Sequence, residues 1–216
     1  MGVMADQTFY LVLAGNMGVG KTTLAKIIEE KLGWLPFYEK FVENPYLPKF
    51  YKDMARWSFH SQIFFLTQRF KDQLAIQKIG KPVVQDRSIF EDAEVFAENL
   101  YQQGLMNPED YRTYRDLYQT MLKAIRMPDL ILYLKASPWT LLSRIRKRWR
   151  EIERNVDKEY LFQLNLRYEY WIRKVESQLP VMVVETDQKD LFEDADWRDD
   201  LLATIIEHYR RHVSKK

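Results

Sequence analysis

Short apolar runs and longer stretches of helical period alternate along this chain of 216 residues. Residues 8–14 form a β-rich apolar run that ends at Gly15, and residues 24–32 then carry apolar positions at helical spacing until Gly33 stops them. Val83 and Val84 follow Pro82, a second run over 130–134 follows Pro128 and Asp129, and a third over 181–184 follows Pro180. These runs are short and unalternated, as strands buried in a parallel sheet are. A further strand is predicted over 35–38, and long helices over 57–80, 88–103, 108–126, 138–150, 157–179 and 195–212. Strands alternating with helices predict an α/β fold with a five-stranded parallel sheet covered on both faces and ligands outside the carboxyl ends of the strands. On the helix from residue 57, Phe59, Ile63, Leu66, Phe70 and Leu74 share one face and are expected to meet the core. Gln62 and Arg69 lie on another face, about 10 Å apart along the axis, close enough to serve one cleft.

Composition narrows the class. With 46% hydrophobic residues, no internal repeat and no linker-like segment, residues 1–216 are expected to form one domain. No run approaches the ~18 apolar residues of a membrane span, and the first residues lack a signal-peptide pattern, so a soluble, cytoplasmic protein without a membrane partner is expected. The absence of cysteine, with three scattered histidines (His60, His208, His212), excludes a disulfide framework, thiolate catalysis and a zinc constellation. Any metal is expected to be held by oxygen. The 33 basic residues are nearly balanced by 31 acidic ones, which gives no bulk argument for a polyanionic partner.

The chemistry concentrates in three segments. Gly15-Asn16-Met17-Gly18-Val19-Gly20-Lys21-Thr22 fits G-x-x-x-x-G-K-[ST] between a predicted strand and helix, with Thr23 next. Such a loop turns backbone N–H groups and a helix N-terminus onto the phosphates of ATP; Lys21 reaches the β- and γ-phosphates and the Thr22 hydroxyl ligates Mg²⁺. No N-K-x-D or D-x-x-G signature accompanies it, which argues against a GTPase. Asp86-Arg87-Ser88 ends the next buried strand on the same sheet edge, so that Asp86 is a second candidate Mg²⁺ ligand and Arg87 a candidate anion clamp, with Ser88 available as the following helix cap. Arg144, Arg146, Lys147, Arg148 and Arg150 crowd one and a half helical turns, Arg144 and Arg148 on one face and Arg146 and Arg150 nearly opposite. Leu141, Ile145, Trp149 and Ile152 anchor that segment and leave the arginines to close over phosphates as a lid over about 144–156. No aromatic platform accompanies these charges, and no nucleic-acid partner is expected.

In order and spacing, the G-N-x-x-x-G-K-T loop, Glu39, the Tyr51…Arg56-Trp57-Ser58-Phe59…Gln62…Arg69 stretch, Asp86-Arg87-Ser88 with Asp92, and Arg144…Glu153…Glu159-Tyr160-Leu161 resemble the deoxynucleoside kinases that act on deoxyadenosine, deoxyguanosine or deoxycytidine. The resemblance runs over about 10–192. It implies a P-loop kinase fold and transfer of the γ-phosphoryl group of ATP to a 5′-hydroxyl, with Lys21 and Arg87 stabilising the transferring group. It implies further that Glu39 is the general base, although Lys40 follows it where family members often have proline, and Glu43 lies close by. By the same resemblance Tyr51 and Glu153 contact the sugar 3′-hydroxyl, Gln62, Arg69 and Asp92 read the base, and Phe96 stacks on it. Arg144, Arg148 and Arg150 match lid positions, and a homodimer through helices near 88–126 is implied. The segment 187–192 is a candidate loop on the adenine side of ATP. Two alternatives stand beside this reading: a nucleoside monophosphate kinase of the thymidylate kinase type, and a non-catalytic P-loop binder of nucleotides or nucleic acid.

Overall fold

The computed structural model describes residues 8–148 and 156–215. Its centre is a five-stranded sheet in which every neighbouring pair is parallel, built from β1 (Tyr10–Ala14), β2 (Leu35–Phe37), β3 (Val83–Asp86), β4 (Leu130–Lys135) and β5 (Val181–Glu185). The spatial order is β2-β3-β1-β4-β5. Leu13 pairs with Asp86 and Ala14 with Tyr133, so the ends of β1 and β3 and the segment after β4 open on one edge.

Alternate side chains of the central strands feed two cores, as the period of two requires. Tyr10, Val12, Ala14, Ile131 and Tyr133 face a cluster that also takes in α3 (Met54–Ile76), α6 (Pro108–Leu122) and α8 (Lys158–Val175). Leu11, Leu13, Leu130, Leu132 and Leu134 face the opposite cluster, with α1 (Lys21–Leu32), α7 (Pro138–Arg148) and α9 (Ala195–Val213). A 3₁₀ turn (Phe41–Glu43) and α2 (Leu47–Phe50) join β2 to α3.

The five strands lie where the apolar runs predict them. Helix ends follow the caps instead of the apolar pattern. Met54 begins α3 three residues before the predicted start because Asp53 accepts the Arg56 N–H at 3.0 Å. The predicted helix over 88–103 is three pieces: α4 (Ile89–Glu91), a π-helical segment (Asp92–Ala97) and α5 (Glu98–Gln102). The core stripe expected on α3 is met in part, with Phe59, Ile63 and Phe70 packing against the core around Leu66. Of its five residues only Leu66 is fully buried, Phe59, Ile63 and Phe70 are half-buried, and Leu74 is exposed. The inward face is Ser58, Ser61, Gln62, Arg69, Asp72 and Gln73, with Leu66 and Ile76. A polar face can be buried here because it meets polar partners: Asn44 donates to Ser61 Oγ at 3.1 Å, and Gln73 donates to Gln85 at 3.1 Å and to the Tyr10 hydroxyl.

Candidate active site

The loop after β1 turns at Gly15, whose φ of +142° and neighbours both exclude a side chain: a Cβ there would lie 2.5 Å from the Leu134 carbonyl oxygen. Gly20, in the left-handed region, caps α1 and leaves the helix N-terminus open to a cavity of about 420 Å³. Lys21 is buried at the floor and folds back on the loop, donating to the carbonyls of Gly15 at 2.6 Å and Asn16 at 3.1 Å. Burial, with Arg87 adding to it, lowers its pKa to about 8. The Thr22 hydroxyl donates to Asp86 Oδ2 at 2.5 Å. Burial raises the Asp86 pKa, and its Oδ1 is buried without a hydrogen-bond partner among the described residues. A hydroxyl and a carboxylate with an open lone pair suit a hard cation that takes its other ligands from phosphate and water.

Next to this floor lies an acid–arginine cluster. Arg87 has a φ of +67°, the one positive φ outside glycine among the described residues, and its guanidinium sits 4.4 Å over the Phe96 ring. Backbone held this way costs about 1–3 kcal/mol and marks a side chain aimed by its surroundings. Glu39 Oε1 accepts a hydrogen bond from Arg69 Nη2 and forms an ion pair with Arg87 Nη1, both at 3.0 Å. Burial alone would raise the Glu39 pKa, but Arg87, Arg69 and Lys21 together hold it down to about 2. Arg69 Nε pairs with Asp92 Oδ2 at 3.1 Å, yet burial still pushes Asp92 up to about 6. Asp92 and Phe96 both stand on the π-helical segment, a wide turn that recurs at functional sites.

Most of the residues singled out in the sequence meet in this one cavity. Residues 17–23 line its phosphate end. Glu39, Tyr51, Gln62, Arg87, Asp92 and Phe96 line the other, and Arg144 and Arg148 the rim. Gln62 Oε1 is buried without a hydrogen bond among the described residues, and the Tyr51 hydroxyl approaches Met17 Sδ at 3.6 Å. Three candidates stand off the wall. Gly15 lies beneath the loop, Asn16 donates away from it to the Leu161 carbonyl at 3.1 Å, and Arg69 sits behind it, clasped by Glu39 and Asp92. Arg144 spends part of its guanidinium on the loop after β5, with 3.1 Å to Thr186 Oγ1 and 2.9 Å to the Lys189 carbonyl. The candidate adenine-side residues Asp190, Leu191 and Phe192 line the cavity beside it. Arg150 and Glu153, with Trp149 and Ile152, lie outside the described residues. Glu43 is exposed at the end of the 3₁₀ turn and does not reach the cavity.

One residue of the site escaped the sequence reading. Glu91, fully buried, accepts from the Gly15 N–H at 3.2 Å and the Tyr168 hydroxyl at 2.9 Å with one oxygen, and from the Ser88 N–H at 2.9 Å with the other. It therefore ties the phosphate loop to the Asp86-Arg87-Ser88 turn and to α8. The S-x-x-E spacing of Ser88 and Glu91, a capping box, was the available signal.

A phosphate loop facing a buried carboxylate across a nucleoside-sized cavity, on this strand order, defines a P-loop kinase. The family model described as deoxynucleoside kinase matches residues 11–210, and the chain belongs to that family. It is 40% identical over 186 residues to the deoxyadenosine/deoxycytidine kinase of Bacillus subtilis (strain 168), covering 85% of each chain. To the deoxyguanosine kinase of the same organism it is 36% identical, covering 84% of this chain and 88% of that one. A solved structure of deoxyadenosine kinase from M. mycoides with bound dATP superposes with a TM-score of 0.81 at 31% identity, over 90% of this chain and all of the other. The same enzyme with dCMP and dCDP bound gives 0.81 over 91% and 98%.

Proposed function

We propose that this enzyme transfers the γ-phosphoryl group of ATP to the 5′-hydroxyl of deoxyadenosine, deoxyguanosine or deoxycytidine. The observation that carries the reading is Glu39 held at 3.0 Å by both Arg69 and Arg87, beside the buried Lys21. In this arrangement the ATP phosphates lie in the loop 17–23, and Lys21 turns from the Gly15 and Asn16 carbonyls toward them. Glu39 orients the acceptor hydroxyl and takes its proton, and Arg87 shares its charge between Glu39 and the transferring group. Mg²⁺, held by Thr22 and Asp86, supplies charge neutralisation on the phosphates when bound.

On the acceptor side, the buried Gln62 Oε1 supports a hydrogen bond to the base edge, Asp92 with Arg69 behind it supports a second, and Phe96 offers a stacking face. Tyr51 serves the sugar 3′-hydroxyl, and Glu153 is assigned the same partner from the family pattern. Arg144 and Arg148 line the cavity on the donor side, and the family pattern assigns Arg150 to the same lid, over about 144–156. The relatives named above act on deoxyadenosine, deoxycytidine and deoxyguanosine, which supports that acceptor set. The reading carries with it a single domain and a cytoplasmic homodimer joined through helices near 88–126.

A monophosphate acceptor fits less well, because the charge that would meet its phosphate is the Glu39 carboxylate and both nearby arginines are already paired with acids. Phosphoryl transfer from ATP with Mg²⁺ is to be measured on the four deoxynucleosides and thymidine monophosphate side by side. Product from deoxyadenosine, deoxyguanosine or deoxycytidine is the expected result. Product from the monophosphate alone, or nucleotide binding with no transfer to any acceptor, would overturn the proposal.

A further inference from the structure

The loop that carries Glu39 leaves the sheet with little to hold it. It follows β2, a three-residue strand at the sheet edge whose side chains are only half-buried. Two consecutive residues of this loop are gripped from α3 instead. Arg69 reaches Glu39 at 3.0 Å, and three residues further along the same helix face Asp72 Oδ1 meets Lys40 Nζ at 3.0 Å. The two partners in the second pair are unequally placed: the Asp72 side chain is 9% exposed and that of Lys40 is 43% exposed. A nearly buried carboxylate thus takes its cation from the loop, and when that cation leaves, the helix retains an uncompensated charge.

Lys40 is not needed to keep Glu39 ionised, since Arg87, Arg69 and Lys21 do so. Its contribution is therefore geometric. Resting on the kinase reading above, we propose that Lys40 and Asp72 are positioning residues: their ion pair pins the chain after β2 to α3 and so sets the Glu39 carboxylate against the acceptor hydroxyl. Arg69 holds the side chain of the base, and the Lys40–Asp72 pair holds the backbone that bears it. The loop is thereby fixed at two successive positions just before the 3₁₀ turn.

The test compares Lys40→Met, Lys40→Arg, Asp72→Asn and the Lys40→Met/Asp72→Asn double variant in steady-state kinetics and amide hydrogen exchange. Lys40→Met is expected to lower kcat on the preferred deoxynucleoside about tenfold, with KM for ATP changed less than about twofold, because a small displacement of a reacting group is costly. Lys40→Arg should recover most of that loss, and exchange over 38–43 should quicken in Lys40→Met but not in Lys40→Arg. The double variant should be no slower than either single one, since both remove the same contact. The acid side of the pH–rate profile should stay where it is. A pair that only stabilises the fold would lower the thermal midpoint and leave kcat untouched, and that result, or losses that multiply in the double variant, would overturn the proposal. Failure of the unsubstituted enzyme to transfer phosphate to any deoxynucleoside would instead bring down the kinase reading, and the clasp with it.

Discussion

Replacing Glu39 with glutamine tests the centre of the site, because its carboxylate is at once the proposed proton acceptor and the counter-charge for two buried arginines. The Glu39 pKa is displaced from 4.5 to about 2. At about 1.4 kcal/mol per pH unit, that displacement corresponds to roughly 3 kcal/mol of stability. A carboxyl whose folded pKa is depressed contributes that stability in full above about 4.5 and loses it as the pH falls toward 2. Glu39→Gln is therefore expected to lower the thermal midpoint at pH 7 by roughly 6–12 °C for a chain of this size, and the gap from the unsubstituted enzyme should narrow below pH 4.5.

Catalysis should suffer separately. Loss of a general base costs about 10²–10⁴ in rate, and since Glu39 makes no hydrogen bond or ion pair to the phosphate loop among the described contacts, KM for ATP should change less than kcat. The pH–rate profile adds an independent check. Glu39 stays ionised far below neutrality, whereas Asp92 takes up a proton as the pH falls through about 6. The acid limb for the unsubstituted enzyme should accordingly lie near 6, appear in kcat/KM for the deoxynucleoside, and move with Asp92→Asn. Steady-state assays of both variants from pH 5 to 9, with scanning calorimetry, decide the matter. A Glu39→Gln enzyme turning over within about tenfold of the original would refute the assignment of Glu39 as the base.

Two further outcomes follow from the phosphate loop. Lys21, lowered to about 8 by burial, loses its proton as the pH rises through that value in the free enzyme, so ATP affinity measured by calorimetric titration should fall between pH 7 and 9; affinity that is flat over this range would contradict the buried position of the ammonium. Gly15→Ala should cost at least about 2 kcal/mol from strain and the clash with the Leu134 carbonyl, whereas Gly33→Ala, where no atom lies within 4 Å of the added Cβ, should cost only the ~1–2 kcal/mol of a left-handed alanine. Equal losses in denaturant unfolding would show that the loop relaxes freely.

Much of this protein could be read from local pattern. Each strand is a short apolar run beside a proline or glycine, and the phosphate loop is contiguous, so its chemistry depends on neighbours in sequence. The positions of Glu39, Gln62, Asp92 and Phe96 were legible by resemblance, and the fold does bring them to one cavity. What periodicity could not supply was the inward face of α3. Apolar spacing pointed to Phe59, Ile63, Phe70 and Leu74, of which the first three pack against the core only half-buried, while Ser61, Arg69 and Asp72 find partners that an isolated amphipathic helix lacks.

The remaining decisions belong to contacts between distant segments. Strand order sets β1 beside β4, with Leu11 opposite Leu130, and the convergence of Gly15, Ser88 and Tyr168 on Glu91 joins residues up to 77 positions apart. The ionisation of the site is decided in the same way. Glu39 and Asp92 are ordinary carboxyls in the sequence, and their pKa values part to about 2 and about 6 only because folding buries both and gives Glu39 the greater share of the arginines and Lys21. Local sequence determined which segments became strands, helices and phosphate loop, since those depend on backbone preference and hydrophobic period. Tertiary structure alone decided which acid of the cavity could stay charged, since that depends on burial and on charges brought together through space.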